Sequence, residues 1–285
     1  MLHGFVPESR FLPYLSWPQV DTLDKRGDAV VVLPAGAIEQ HGLHLPCAVD
    51  SMIASAVVGG ALSLLEEDIK AYALPAITYG KSEEHIHFPG TITLTGELLL
   101  QTVIEIGESI YRSGFRKLLI VNAHGGQPQV LDIAARELRL RHGDFLIIAR
   151  SVWSVAYNNE FLSEEEKRLA MHAGHAETAL LLALAPNLVN MDLAVKNVPE
   201  VFPCPSLSKD RPALAWCARD FGESGVIGDP RHASAEQGRA LLSDLTRSWA
   251  TGICEFYELR WSVRKMQSWG RNNFCGDVQK YQENS

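Results

Sequence analysis

Between residues 29 and 150 the chain alternates short, continuous apolar runs with longer amphipathic stretches. The clearest run, Leu118-Leu119-Ile120-Val121, lies within residues 117–122 and reads as a buried strand. Residues 29–34, 72–77 and 145–150 read as strands on the same grounds. Residues 97–113 carry Leu98, Leu99, Val103, Ile106 and Ile110 at helical spacing and stop at Gly114, a usual residue just past a helix end. Residues 127–142 form a second such helix, halted by Gly143. A third, at about 51–67, is apolar on most sides, and its small residues (Ala54, Ala56, Gly59, Gly60, Ala61) imply close packing. Outside this block the pattern predicts a short helix at 17–25, an acidic helix start at Ser163–Glu166, a leucine-rich helix ending near Leu184 and a long helix at 233–253.

Strands alternating with helices predict parallel strands joined by crossovers, hence an α/β fold with helices on both sheet faces. In such folds functional residues gather in loops beyond the carboxyl ends of the strands. The first such loop holds Glu39-Gln40-His41-Gly42-Leu43-His44-Leu45-Pro46 and closes at Asp50. Glu39 and His41 are two apart, so an extended segment points both the same way. Oxygen and nitrogen ligands together suit Zn, Mn or Fe without a thiolate. The plainer reading makes Asp50 a helix N-cap and the histidines ordinary loop residues.

Three further segments carry chemistry. Asn122-Ala123-His124-Gly125-Gly126-Gln127 follows the buried strand, and its glycines would bring His124 to the strand end as a ligand or merely make a turn. It lacks the spacing and the lysine of a phosphate loop. His172, His175 and Glu177 precede an apolar helix, where a buried carboxylate is costly unless paired or metal-bound and an exposed one only faces the helix dipole. His172 is a candidate proton shuttle. Ser82, His85 and Phe88-Pro89-Gly90-Thr91 form a polar loop, and the absence of Gly-x-Ser-x-Gly speaks against a serine hydrolase.

A net charge of −8 with no basic run longer than a pair argues against nucleic acid as partner. Five scattered cysteines without Cys-x-x-Cys argue against disulfides or a thiolate zinc site, and with no apolar leader or membrane-length stretch the expected setting is the cytoplasm. The expected unit is one domain over residues 1–285, with a core at about 12–255 and a polar C-terminal extension at about 256–285.

The four motifs together resemble the creatininase (creatinine amidohydrolase) family. They are Gly36-Ala37-Ile38-Glu39-Gln40-His41-Gly42 with His44-Leu45-Pro46 and Asp50; Ser82-x-x-His85-x-x-Phe88-Pro89-Gly90-Thr91; Asn122-Ala123-His124-Gly125-Gly126; and His172-Ala173-Gly174-x-x-Glu177-Thr178. Gly225-Val226-Ile227-Gly228-Asp229-Pro230 adds to the match. The resemblance implies a three-layer α/β/α fold with a mostly parallel central sheet and a homo-oligomer, typically a hexamer. It implies a metal-dependent amidohydrolase that opens a C–N bond in a small, cyclic amide through a metal-activated water. Glu39, His41, Asp50 and His124 would be ligands to one or two divalent ions (Zn, Mn or Fe), with Asp50 bridging. His172 and Glu177 would be catalytic, and Ser82 and His85 would position the small-molecule substrate. Where creatininase has a ligand glutamate this chain has Gly126, so the resemblance implies a second ion that is lost, held more weakly, or supported by another carboxylate, for which Glu177 is the candidate. Where creatininase has a tryptophan four residues before His172 this chain has Arg168. Both departures point toward relatives of the His-Gly-Gly form, which include formamide hydrolases, a peptide-maturing peptidase and a cyclitol-derivative hydrolase. A non-catalytic metal- or ligand-binding subunit is the alternative of another class.

Overall fold

The computed structural model describes residues 2–202, 204–208 and 212–261. Four strands, β1 (Val30–Ala35), β2 (Ala71–Ala73), β3 (Lys117–Asn122) and β4 (Leu146–Ser151), form one parallel sheet in the order β2-β1-β3-β4. β1 and β3 occupy the centre, and every residue of both is buried, which is why they read as unbroken apolar runs. The helices are α1 (Trp17–Asp21), α2 (Val49–Ser63), α3 (Gly96–Arg112), α4 (Pro128–Arg141), α5 (Glu164–Leu169), α6 (His175–Leu184) and α7 (Ala235–Glu258).

Strand pleating divides the sheet between two cores. Val30, Val32, Leu119 and Val121 face a cluster that includes Ile53 and Val57 of α2, Leu180 of α6 and Leu245 and Trp249 of α7. Val31, Leu33, Leu118 and Ile120 face the other, with Leu99 and Val103 of α3 and Leu131 and Leu138 of α4. The result is a three-layer α/β/α sandwich.

Several boundaries differ from the sequence pattern. The strand expected over residues 72–77 pairs continuously only over Ala71–Ala73 and meets β1 again at Ile77, because Pro34 of β1 has no N–H to continue the ladder beyond the Leu74 N–H to Val32 carbonyl bond. α2 begins at Val49 rather than 51, so Asp50 lies inside its first turn and Ala48 takes the cap position. α7 begins at Ala235 behind a Ser234–Gln237 capping box and runs five residues past the expected end. Residues 259–261 follow it, and the remainder of the expected extension lies outside the described residues. No described helix is long and apolar enough to cross a membrane.

Candidate metal centre

The end of β1 and the start of α2 are pressed together. A β-carbon on Gly36 would sit 2.5 Å from the Ser51 amide nitrogen, so only glycine lets the strand end approach the helix this closely. That approach sets Asp50 beside Glu39 and His41. From β3, Asn122 and Gln127 fasten the next loop. The Asn122 amide donates to the His124 carbonyl (2.6 Å) and accepts from the His124 N–H (3.2 Å), while Gln127 donates to Asn122 (2.9 Å) and to the Gly36 carbonyl (3.1 Å). The two loops thus converge past the carboxyl ends of neighbouring central strands.

Glu39, His41, Asp50 and His124 are all buried. His41 Nε2 lies 3.4 Å from Asp50 Oδ1, and His124 Nδ1 lies 3.2 Å from Glu39 Oε2 and 3.3 Å from Asp50 Oδ2. Yet Glu39 Oε2, Asp50 Oδ2 and His41 Nε2 have no hydrogen-bond partner. Buried polar atoms are rarely left so, and a donor set of carboxylate oxygen and imidazole nitrogen suits a divalent cation. The outer contacts agree with that use. His41 Nδ1 donates to the Glu39 carbonyl (3.1 Å) and His124 Nε2 to the Lys81 carbonyl (2.8 Å), so each ring turns its lone pair inward.

The electrostatics say the same. Burial disfavours charge on His41, but Asp50, with Glu177 and Glu39, overrides it and pushes the imidazole up to about 9. Burial likewise opposes charge on His124, and Glu39 and Asp50 raise it well above its ordinary value. Asp50 is held well below the usual carboxylate range by His41 and His124 against the effect of burial. Raised imidazoles beside a lowered carboxylate mark a site whose potential favours positive charge.

The other predicted residues sort around this centre. His172 is sandwiched between His41 and His85, with ring centroids 4.2 Å away on each side. Its Nε2 donates to the Gln40 carbonyl (2.6 Å), and its Nδ1 faces Glu39 Oε1 at 3.5 Å. Burial, then the charges of His41 and His85, lower it well below an ordinary histidine, which favours the uncharged ring. Glu177, at the start of α6, is half-buried and accepts from the Ala173 N–H (2.7 Å). Burial pushes it up to about 7. Ala173 has φ +52°, a left-handed conformation that costs a residue with a β-carbon roughly 1–2 kcal/mol. The Glu177 bond and the pairing of His172 with Ile227 hold that turn in place. Glu177 is thereby brought to His41 and His172 rather than to His124.

His85 Nε2 approaches Glu39 Oε1 at 3.6 Å, and its Nδ1 accepts from the Gln40 amide (2.7 Å). Gln40 is oriented by the Gly42 N–H donating to its oxygen (2.8 Å), which leaves its nitrogen to face Gly225 and His85. His85 therefore carries its proton on Nε2, directed at Glu39. Ser82 is fully buried behind His124, its Oγ 3.3 Å from Nε2. His175 is not part of the cluster, since its ring turns to Gln237 (3.0 Å). Two participants lacked a signal of their own in the sequence. Gln40 positions His172 and His85 through contacts far along the chain, and Glu84, beside His85, reaches 3.5 Å from His124 Nε2.

Glu39, Asp50, His124, His172 and Glu177 open onto a cavity of about 870 Å³. Trp153, Met171, Leu214 and Trp216 give it apolar walls.

A parallel sheet with buried carboxylates and imidazoles converging past its central strand ends defines an α/β protein with a centre suited to a divalent metal. The chain belongs to the Creatininase family, whose creatinine amidohydrolase model matches residues 13–253. It is 32% identical over 267 residues to creatinine amidohydrolase of Pseudomonas putida, covering 87% of this chain and 97% of that one. It is 31% identical over 228 residues to the mycofactocin precursor peptide peptidase of Mycolicibacterium smegmatis strain ATCC 700084 (79% and 84% covered). Among solved structures, manganese creatininase superposes with a TM-score of 0.69 at 31% identity, over 88% of this chain and 99% of that one. A single-substitution creatininase of Zn–Zn type superposes with a TM-score of 0.69 at 30% identity (87% and 98% covered).

Proposed function

We propose that this protein is a metal-dependent amidohydrolase that opens a C–N bond in a small, cyclic amide, with Glu39, His41, Asp50 and His124 holding the ion. The observation that carries the proposal is the convergence of buried, unpartnered atoms Glu39 Oε2, Asp50 Oδ2 and His41 Nε2 beside His124 Nδ1. A divalent ion supplies Lewis-acid polarisation of the substrate carbonyl and brings the pKa of a water near neutrality.

The chain's own groups do the rest. His172, whose charged form burial disfavours, offers a lone pair at Nδ1, because Nε2 is committed to the Gln40 carbonyl. It takes a proton from the attacking water and delivers it to the leaving nitrogen as the C–N bond breaks. Glu177, near pKa 7, exchanges a proton beside it within the working pH range. Glu39 is held in place by His85 Nε2–H on one oxygen, leaving the other for the ion. Trp153 and Trp216 offer flat faces for a planar ring and keep water out.

The cavity volume favours a second reading. At about 870 Å³ it lies toward the upper end of the ~300–1,000 Å³ usual for small-molecule sites. A formamide on a larger ring system, or a peptide end, fits that volume better than a single five-membered ring. The deciding experiment is elemental analysis of purified protein together with a screen of cyclic amides, formamides and short peptides. Bound Zn, Mn or Fe and a chelator-sensitive hydrolase activity are expected. Full activity after chelation refutes the metal reading.

A further inference from the structure

Position 126 is a glycine whose side-chain space is filled by another residue. A β-carbon on Gly126 would fall within bonding range of Glu84 Oε1 and 2.5 Å from His124 Nε2. Glu84 and any side chain at 126 therefore exclude each other.

Glu84 arrives from the short 3-10 turn Glu83–His85, between Lys81 and His85. Its side chain is only 11% exposed, with Oε1 3.5 Å from His124 Nε2 and Oε2 3.4 Å from Lys81 Nζ. Single ligand atoms from Glu84, Glu39 and His124 lie within 4.8 Å of one another. That grouping shares Glu39 with the grouping Glu39–His41–Asp50. Glu39 Oε2 is a buried oxygen without a hydrogen-bond partner. Three carboxylates brought this close together repel unless cations lie among them. Lys81 answers Glu84 from the outer side, while Glu39 Oε2 has no hydrogen-bond partner and only the His124 ring, 3.2 Å away at Nδ1, beside it.

We propose that Glu84 is a metal ligand, the third carboxylate of the centre, and that Gly126 is the vacancy that admits it. A carboxylate that a side chain at 126 would otherwise deliver from the β3 loop is delivered here from the 83–85 turn. The proposal rests on the reading that Glu39, His41, Asp50 and His124 hold a divalent ion.

The test is metal stoichiometry and affinity, measured by dialysis against Mn²⁺ or Zn²⁺ and elemental analysis, with thermal melting to establish folding. Glu84→Gln keeps shape and removes charge, and it is expected to lose one ion per chain or weaken binding at least tenfold. Moving the carboxylate, in Glu84→Gly combined with Gly126→Glu, also requires the His124 ring to give way, and is expected to restore the wild-type ion count. A carboxylate that merely orients His124 would not be replaced in this way. Lys81→Met serves as the control for the outer ion pair and is expected to keep the wild-type stoichiometry. A Glu84→Gln protein with wild-type stoichiometry and affinity overturns the role of Glu84 and leaves the four-residue centre standing. Wild-type protein that binds no ion overturns both.

Discussion

Glu166 offers the sharpest test of how the His172 turn is held. It is a buried carboxylate on α5 that accepts the His175 N–H (2.6 Å) with Oε1 and the Asp229 N–H (2.7 Å) with Oε2. One carboxylate thus clamps the start of α6 to the segment that pairs with His172 through Ile227. The glycines beside it serve the same clamp. A β-carbon on Gly174 would overlap Glu166 Oε1, and one on Gly228 would lie 3.2 Å from it and 2.7 Å from Gly174 Cα. Glu166→Ala strands two N–H groups, each hydrogen bond to a charged acceptor being worth about 1.5–3 kcal/mol. The residue borders a cavity of about 240 Å³, so water enters and recovers part of that loss. The expected destabilisation is therefore about 3 kcal/mol, the lower end of the range for two such bonds. Glu166→Gln keeps one acceptor and sets an amide N–H against the other donor, so about 2 kcal/mol is expected. Urea unfolding monitored by tryptophan fluorescence reads both values, and the slope should not change. Hydrolase activity should fall with them while bound metal stays constant, since Glu166 touches no ligand. A Glu166→Ala midpoint within about 0.5 kcal/mol of wild type would refute the clamp, because surface substitutions alone cause changes of that size.

Other outcomes follow from the same geometry. His41 sits at about 9 in the fold against 6.5 ordinarily, so its proton stabilises the chelated protein fully below pH 6.5, and that stability is lost as pH rises through 9. The His41 share is at most about 3 kcal/mol, read as urea midpoints in chelator, and His41→Ala should remove that share while the part due to His124 remains. Metal affinity should rise over the same window, since binding needs the neutral imidazole. His172→Ala should lower kcat by about 10²-fold or more while leaving bound metal unchanged by elemental analysis. Asp50→Asn should lower bound metal, because it removes the charge whose Oδ2 has no other partner. Gly238→Ala would drive a methyl into the Ala179 carbonyl where α7 crosses α6, and should cost about 1–3 kcal/mol in thermal or urea unfolding.

The sequence by itself determined the alternation of strand and helix, because burial on both faces forces unbroken apolar runs such as those of β1 and β3. It also determined that Glu39, His41, Asp50 and His124 would stand at strand or helix ends, since the apolar runs mark those ends directly. The short reach of β2 follows from Pro34 in its neighbour β1, a pairing that residues 72–77 alone do not show. Only the tertiary structure decided which nitrogen of each histidine faces inward. That choice is made by carbonyls such as Lys81 for His124 and Gln40 for His172, brought near by packing rather than by spacing. Only the tertiary structure separated His175 from His172 and Glu177, three residues that a local reading groups together. And only it joined Glu84 to Gly126, forty-two positions apart in the chain, because which side chain fills a space depends on how two loops meet.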